Sequence, residues 1–189
     1  MKKEFDIHRA QNTAHPLMEA YGIMAVPFAD KRMEIWRDTF KGVETFHEPT
    51  NFVVFGGVDD IWKEGSGKDE KLIVVDYKAT SKDAEVNIDA EWQDGYKRQM
   101  EVYQWLLRQN GFVVSDTGYF VYANGRRDRE AFDGRLEFDV KIIPYVGKAD
   151  WINGTLVEMK KYLDGNEIPR SSPNCEYCSY INSVNNSVK

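Results

Sequence analysis

The stretch Phe52 to Lys82, FVVFGGVDDIWKEGSGKDEKLIVVDYKATSK, decides how this chain is read. It contains two apolar strands joined by a turn rich in Gly, Ser and charge. The first apolar run ends at Asp59-Asp60; the second is Leu72-Ile73-Val74-Val75, followed by Asp76, Tyr77 and Lys78. Side chains alternate along an extended strand, so Asp76 and Lys78 point to one face. An acid and a lysine side by side at an inward position are costly unless they serve a purpose. Two acids on neighbouring strands with a strand lysine compose an oxygen-ligand site for a hard divalent cation, with an ammonium beside it. The Gly56-Gly57 pair predicts a bend that aims Asp59 into a cleft. Asp60 would then lie on the opposite face, which ranks it behind Asp59.

Working outward, Trp92 to Asn110 is the strongest helical pattern. Trp92, Tyr96, Met100, Tyr103 and Leu107 form its apolar stripe, and Gly111 is its stop. Gln99 and Tyr103 sit one turn apart and share a face. Three segments, Gly56-Gly57-Val58-Asp59, Val74-Val75-Asp76-Tyr77-Lys78 and Gln99-Met100-Glu101-Val102-Tyr103, resemble the G-x-x-D, (D/E)-x-K and Q-x-x-x-Y motifs of the PD-(D/E)XK nucleases. The likeness is greatest to the branch of the RecB nuclease domain and Cas4. Each motif alone is weak, whereas three in order are a much stronger signal. They cover roughly residues 46 to 110.

The resemblance implies an α/β fold, a restriction-endonuclease-like mixed central sheet flanked by helices. It implies one domain over residues 1–189, with a cysteine-pair tail at 170–189. The implied activity is metal-dependent hydrolysis of nucleic-acid phosphodiesters, DNA above all, in a setting of repair or recombination. Asp59 and Asp76 would hold Mg²⁺ or Mn²⁺, aided by the Tyr77 backbone carbonyl, and Lys78 would orient water or stabilise developing charge. Gln99 and Tyr103 would orient site groups and the nucleic-acid backbone. In that family a preceding helix lends one Glu or His to the metal, which makes Glu4 and His8 candidates. Because the chain starts inside a predicted helix, an upstream segment present in relatives is expected to be missing. The alternative is a catalytically silent nuclease-fold module that grips nucleic acid or a protein.

The remaining elements follow from periodicity. Helices are predicted over residues 3–14, 29–40 and 150–163, with Met33, Trp36 and Phe40 on the second and Ile152, Leu156, Met159 and Leu163 on the third. Short strands are predicted at 43–46, 117–123 and 136–143. Arg126, Arg127 and Arg129 lie between the last two. They could contact phosphates, but Asp128, Glu130 and Asp133 dilute them, so a solvated loop is the plainer reading. The terminal Asn- and Ser-rich residues are expected to fray.

Composition sets outer bounds. The 189 residues are 42% hydrophobic and 13% aromatic, enough for one real core, and the formal net charge is −6. Such a balance argues against broad non-specific nucleic-acid binding but leaves room for a local cationic rim. No run of about 18 apolar residues suggests a membrane span, and the amino terminus lacks the apolar core of a signal peptide. Cys175 and Cys178 are the only cysteines. Two thiolates do not close a tetrahedral site, so no iron–sulfur cluster is expected from this chain alone, and a reducing, cytoplasmic setting is the expectation.

Overall fold

The computed structural model describes residues 1–131 and 133–187. From the amino terminus the chain forms α1 (Lys2–Gln11), α2 (Pro16–Ala20), β1 (Ala25–Pro27), α3 (Met33–Trp36), β2 (Val43–His47), β3 (Phe52–Gly56) and β4 (Asp60–Glu64). It continues with β5 (Lys71–Thr80), α4 (Asp94–Gln109), β6 (Thr117–Gly125), β7 (Phe138–Val146), α5 (Trp151–Asp164) and α6 (Glu176–Ser187).

Alternation along β5 sets both faces of the central sheet. Ile73, Val75 and Tyr77 join Trp62 of β4, Val121 of β6 and Ile142 of β7 in one cluster, closed by Phe5 of α1 and Met18 of α2. Leu72, Val74, Asp76 and Lys78 fall on the opposite side by the same period of two. There the buried Met100, Leu106 and Leu107 of α4 supply the apolar cover. The sheet order is β1-β4-β5-β6-β7, with β5 and β6 parallel and the other pairings antiparallel. This is the mixed sheet flanked by helices that the motifs implied. The chain divides into two compact units, Met1–Ile152 and a second beginning at Asn153; the first contains the whole sheet. The second holds α6 and all of α5 beyond Ile152.

Several sequence expectations are corrected. Phe52 to Asp59 is not a central strand. Phe52–Gly56 pairs only with β2 as a separate hairpin, and the central strand restarts at Asp60. The break comes from close approach: a Cβ on Gly57 would lie 2.8 Å from the Asp38 carbonyl oxygen. The second helix shrinks to one turn because the Asp38 carboxylate accepts from the Phe40 and Lys41 amides at 2.8 and 3.0 Å, pulling the backbone into a turn. Phe40 is left 89% exposed rather than core. Trp92 also leaves the core stripe: residues Glu91–Gln93 form a 3₁₀ turn ahead of α4, and Gln93 takes the buried place. On α5, Ile152 and Leu156 are buried but Met159 and Leu163 are exposed. The Asn- and Ser-rich segment is helical as far as Ser187, with Ser183 and Ser187 hydroxyls each bonding the carbonyl one turn back; residues 188–189, on which the expectation of fraying also falls, lie outside the described residues.

Candidate active site

Asp59 and Asp60 leave the bend in opposite directions, and each grips Tyr77. The Tyr77 amide donates to Asp59 Oδ2 at 2.9 Å, which fixes Asp59 alongside β5 next to Asp76. The Tyr77 hydroxyl donates to Asp60 Oδ2 at 2.6 Å on the other face of the sheet. Asp60 is fully buried and also pairs with Arg9 and, at 2.9 Å, with Arg37. Burial first, then the Asp60 charge, pushes the Tyr77 phenol far above its usual range. Asp60 is thus consumed by the fold, while Asp59 faces the cleft.

Asp76 is 3% exposed. Burial pushes its carboxyl up to about 6; the Lys78 ammonium opposes the shift, and the neighbouring Asp59 carboxylate adds to it. Lys78 Nζ lies 2.6 Å from Asp76 Oδ2, yet that buried oxygen receives no aligned hydrogen bond. Lys78 instead donates to Gln99 Oε1 at 3.2 Å and sits 4.1 Å over the Tyr96 ring. Gln99 Nε2 in turn reaches the Tyr103 hydroxyl at 2.7 Å. Burial pushes the Tyr103 phenol up to about 12, with the Gln99 bond opposing and the Asp76 and Asp59 charges reinforcing. The Tyr103 ring needs Gly56, where a Cβ would stand 2.7 Å from its Cε1. The bend before Asp59 and the helix carrying Gln99 are therefore packed as one unit.

The donor set fits a hard divalent cation. Two adjacent carboxylates, one of them buried and meeting the Lys78 ammonium without an aligned hydrogen bond, form the oxygen-rich pocket such an ion stabilises. Among the described residues no three His, Cys, Asp or Glu side chains cluster, so Glu4 and His8 do not join Asp59 and Asp76. Glu4 pairs with His15 Nε2 at 3.2 Å, and His8 Nδ1 lies 3.0 Å from the Thr13 hydroxyl. The α1 residue that reaches the site is Lys2, whose Nζ is 2.8 Å from Asp59 Oδ1. Only helical phase could have found it: Lys2 shares a face with Phe5, which is buried beneath the sheet.

The arginine loop is self-neutralised. Arg126 pairs with Asp128 at 2.7 Å, Arg127 with Asp83 at 2.5 Å, and Arg129 with Glu137. Cys175 and Cys178 are both free, and the Cys178 amide lies 3.4 Å from Cys175 Sγ at the start of α6. No described helix is long and apolar enough to cross a membrane.

Fold and site define an α/β protein in which one acid at the bend before β4 and an acid and a lysine on β5 are gathered at a mixed sheet and closed by a Gln- and Tyr-bearing helix. The family model of the PD-(D/E)XK nuclease superfamily matches residues 10–183, and the chain belongs to that superfamily. The matched span includes Asp59, Asp76, Lys78, Gln99 and Tyr103. Membership makes nucleic acid the implied substrate class and the restriction-endonuclease-like sheet the expected architecture. No curated protein and no solved structure gives a significant match to the chain.

Proposed function

We propose that this protein is a divalent-metal-dependent deoxyribonuclease of the RecB and Cas4 type. The observation that carries the reading is Asp76, buried beside Asp59 with Lys78 at 2.6 Å. Asp59, Asp76 and the Tyr77 carbonyl would hold Mg²⁺ or Mn²⁺. When bound, such an ion lowers the pKa of water and neutralises charge on the scissile phosphate. Lys78 would then be freed from part of its pairing with Asp76 and present its ammonium to a phosphate oxygen or the attacking water. Gln99 would hold Lys78 in place and Tyr103 would hold Gln99, so the helix would fix the position of the lysine beside Asp76. Arg126 and Arg127 could bind a phosphate only by giving up Asp128 and Asp83, which makes them secondary contacts. The order of the three motifs, on the bend before β4, on β5 and on α4, supports the RecB and Cas4 branch. With two cysteines in the sequence, a four-thiolate cluster would need ligands from outside this chain.

A silent nuclease-fold module is the second reading. It is favoured by the absence, among the described residues, of a third carboxylate or histidine at the pair. Incubation of purified protein with single- and double-stranded DNA and RNA in Mn²⁺ separates the two. The nuclease reading expects DNA cleavage that chelator abolishes. Normal metal binding with no cleavage of any polynucleotide would refute it.

A further inference from the structure

Trp92 is an exposed aromatic side chain carried on a turn anchored by its buried neighbour. Its neighbour Gln93 is 2% exposed. Gln93 Oε1 accepts from the Ala90 amide at 3.0 Å, and Nε2 donates to the Asn87 carbonyl at 2.8 Å and the Tyr122 hydroxyl at 3.2 Å. Tyr122 is the β6 residue in register with Lys78 of β5. The position of Trp92 is therefore tied to the strand position beside Lys78. On its other side Trp92 meets Tyr96 edge to face, with ring centroids 5.7 Å apart and planes at 81°. The same Tyr96 ring lies 4.1 Å beneath the Lys78 ammonium. Lys78, Tyr96 and Trp92 make a continuous run from the candidate site to solvent.

The indole at the end of that run is 68% exposed. A tryptophan left in water forgoes much of the burial free energy its size offers, and this one is held out rather than collapsed. We infer that Trp92 is a stacking platform for an unpaired nucleobase adjacent to the phosphate engaged at Lys78. The preferred substrate is then a single strand or an unpaired end rather than intact duplex; this rests on the nuclease reading above. Stacking on an aromatic side chain tolerates any base, because every base has a π face, and works with cationic groups that follow the backbone. Within a duplex both faces of a base are covered, so only an unstacked nucleotide can reach the indole.

The test compares wild type, W92A and W92F as the full chain. Binding is measured in chelator with a fluorescein-labelled single-stranded oligodeoxynucleotide and with an equally long strand carrying abasic residues throughout. Cleavage of both is measured in Mn²⁺. W92A should weaken binding of the base-bearing strand about tenfold, or ~1.4 kcal/mol. W92F should retain most of the affinity, and neither variant should change binding of the abasic strand. Unchanged binding by W92A, an equal loss on both strands, or no binding by the wild type overturns the platform. Loss of binding confined to the base-bearing strand, with no cleavage by the wild type, would leave the platform standing and sink the nuclease reading.

Discussion

At the scale of single residues, Asp76 is a buried carboxylate held beside a second one. A buried carboxylate beside Asp59 destabilises the metal-free fold, and its elevated pKa records that. Asp76→Asn removes the charge at nearly constant volume. It should abolish cleavage while raising metal-free stability by on the order of 1 kcal/mol, read as a higher melting temperature in chelator. A lower melting temperature would mean that the Lys78 pair outweighs the burial. Lys78 acts differently, because in the proposed site it is not a ligand. Lys78→Met should cut turnover by about a hundredfold or more while changing Mn²⁺ affinity far less, and calorimetry beside single-turnover kinetics checks the split. Lys2 competes for the Asp59 oxygen that a cation would use. Lys2→Met should tighten Mn²⁺ binding a few-fold, whereas weaker binding would show that Lys2 supports the site. The Asp76 and Lys78 pair was legible in the sequence because a period of two is a local property of the backbone. The role of Lys2 was not, because it depends on which face of α1 is buried.

At the scale of elements, α1 is attached to the sheet through charge as well as through Phe5. Asp6 accepts from Arg9 and from Arg37, and both arginines continue to Asp60. Burial by itself raises the Asp6 pKa, but hydrogen bonds from Arg9 and Arg37 outweigh it and hold the carboxyl below its ordinary value of 3.8. A depressed folded pKa contributes stability above the unfolded value, and that stability is lost as pH falls through the folded one. Wild type should therefore lose stability below about pH 4 by a component that Asp6→Asn lacks, measured as the shift in denaturant midpoint between pH 6 and pH 3. Parallel curves for the two proteins would contradict it. Asp60→Asn leaves two guanidinium groups underpaired and should cost about 3–5 kcal/mol. Nothing in the local sequence joined Arg9, Arg37 and Asp60, which lie far apart along the chain and meet only in the folded sheet. The bend at Gly56-Gly57, by contrast, was legible, although the strand it was thought to kink proved to be two strands in different sheets.

For the whole molecule, a formal net charge of −6 means that affinity for a polyanion has to come from a few local groups. The arginine loop spends its charge on Asp128, Asp83 and Glu137, so it adds little to that attraction. The mixed sheet could be read from three motifs in order because they record where a strand's entry bend, its neighbouring strand and a helix converge. The α1 contribution could not be read, since Glu4 and His8 have the residue types the resemblance implies but lie against His15 and Thr13. The most direct measurement is anomalous diffraction from a crystal soaked in Mn²⁺. The expected result is a peak bridging the Asp59 and Asp76 carboxylates, with Lys2 displaced from Asp59. A peak elsewhere, or none there with Asp59 still held by Lys2, would contradict the paired-carboxylate site.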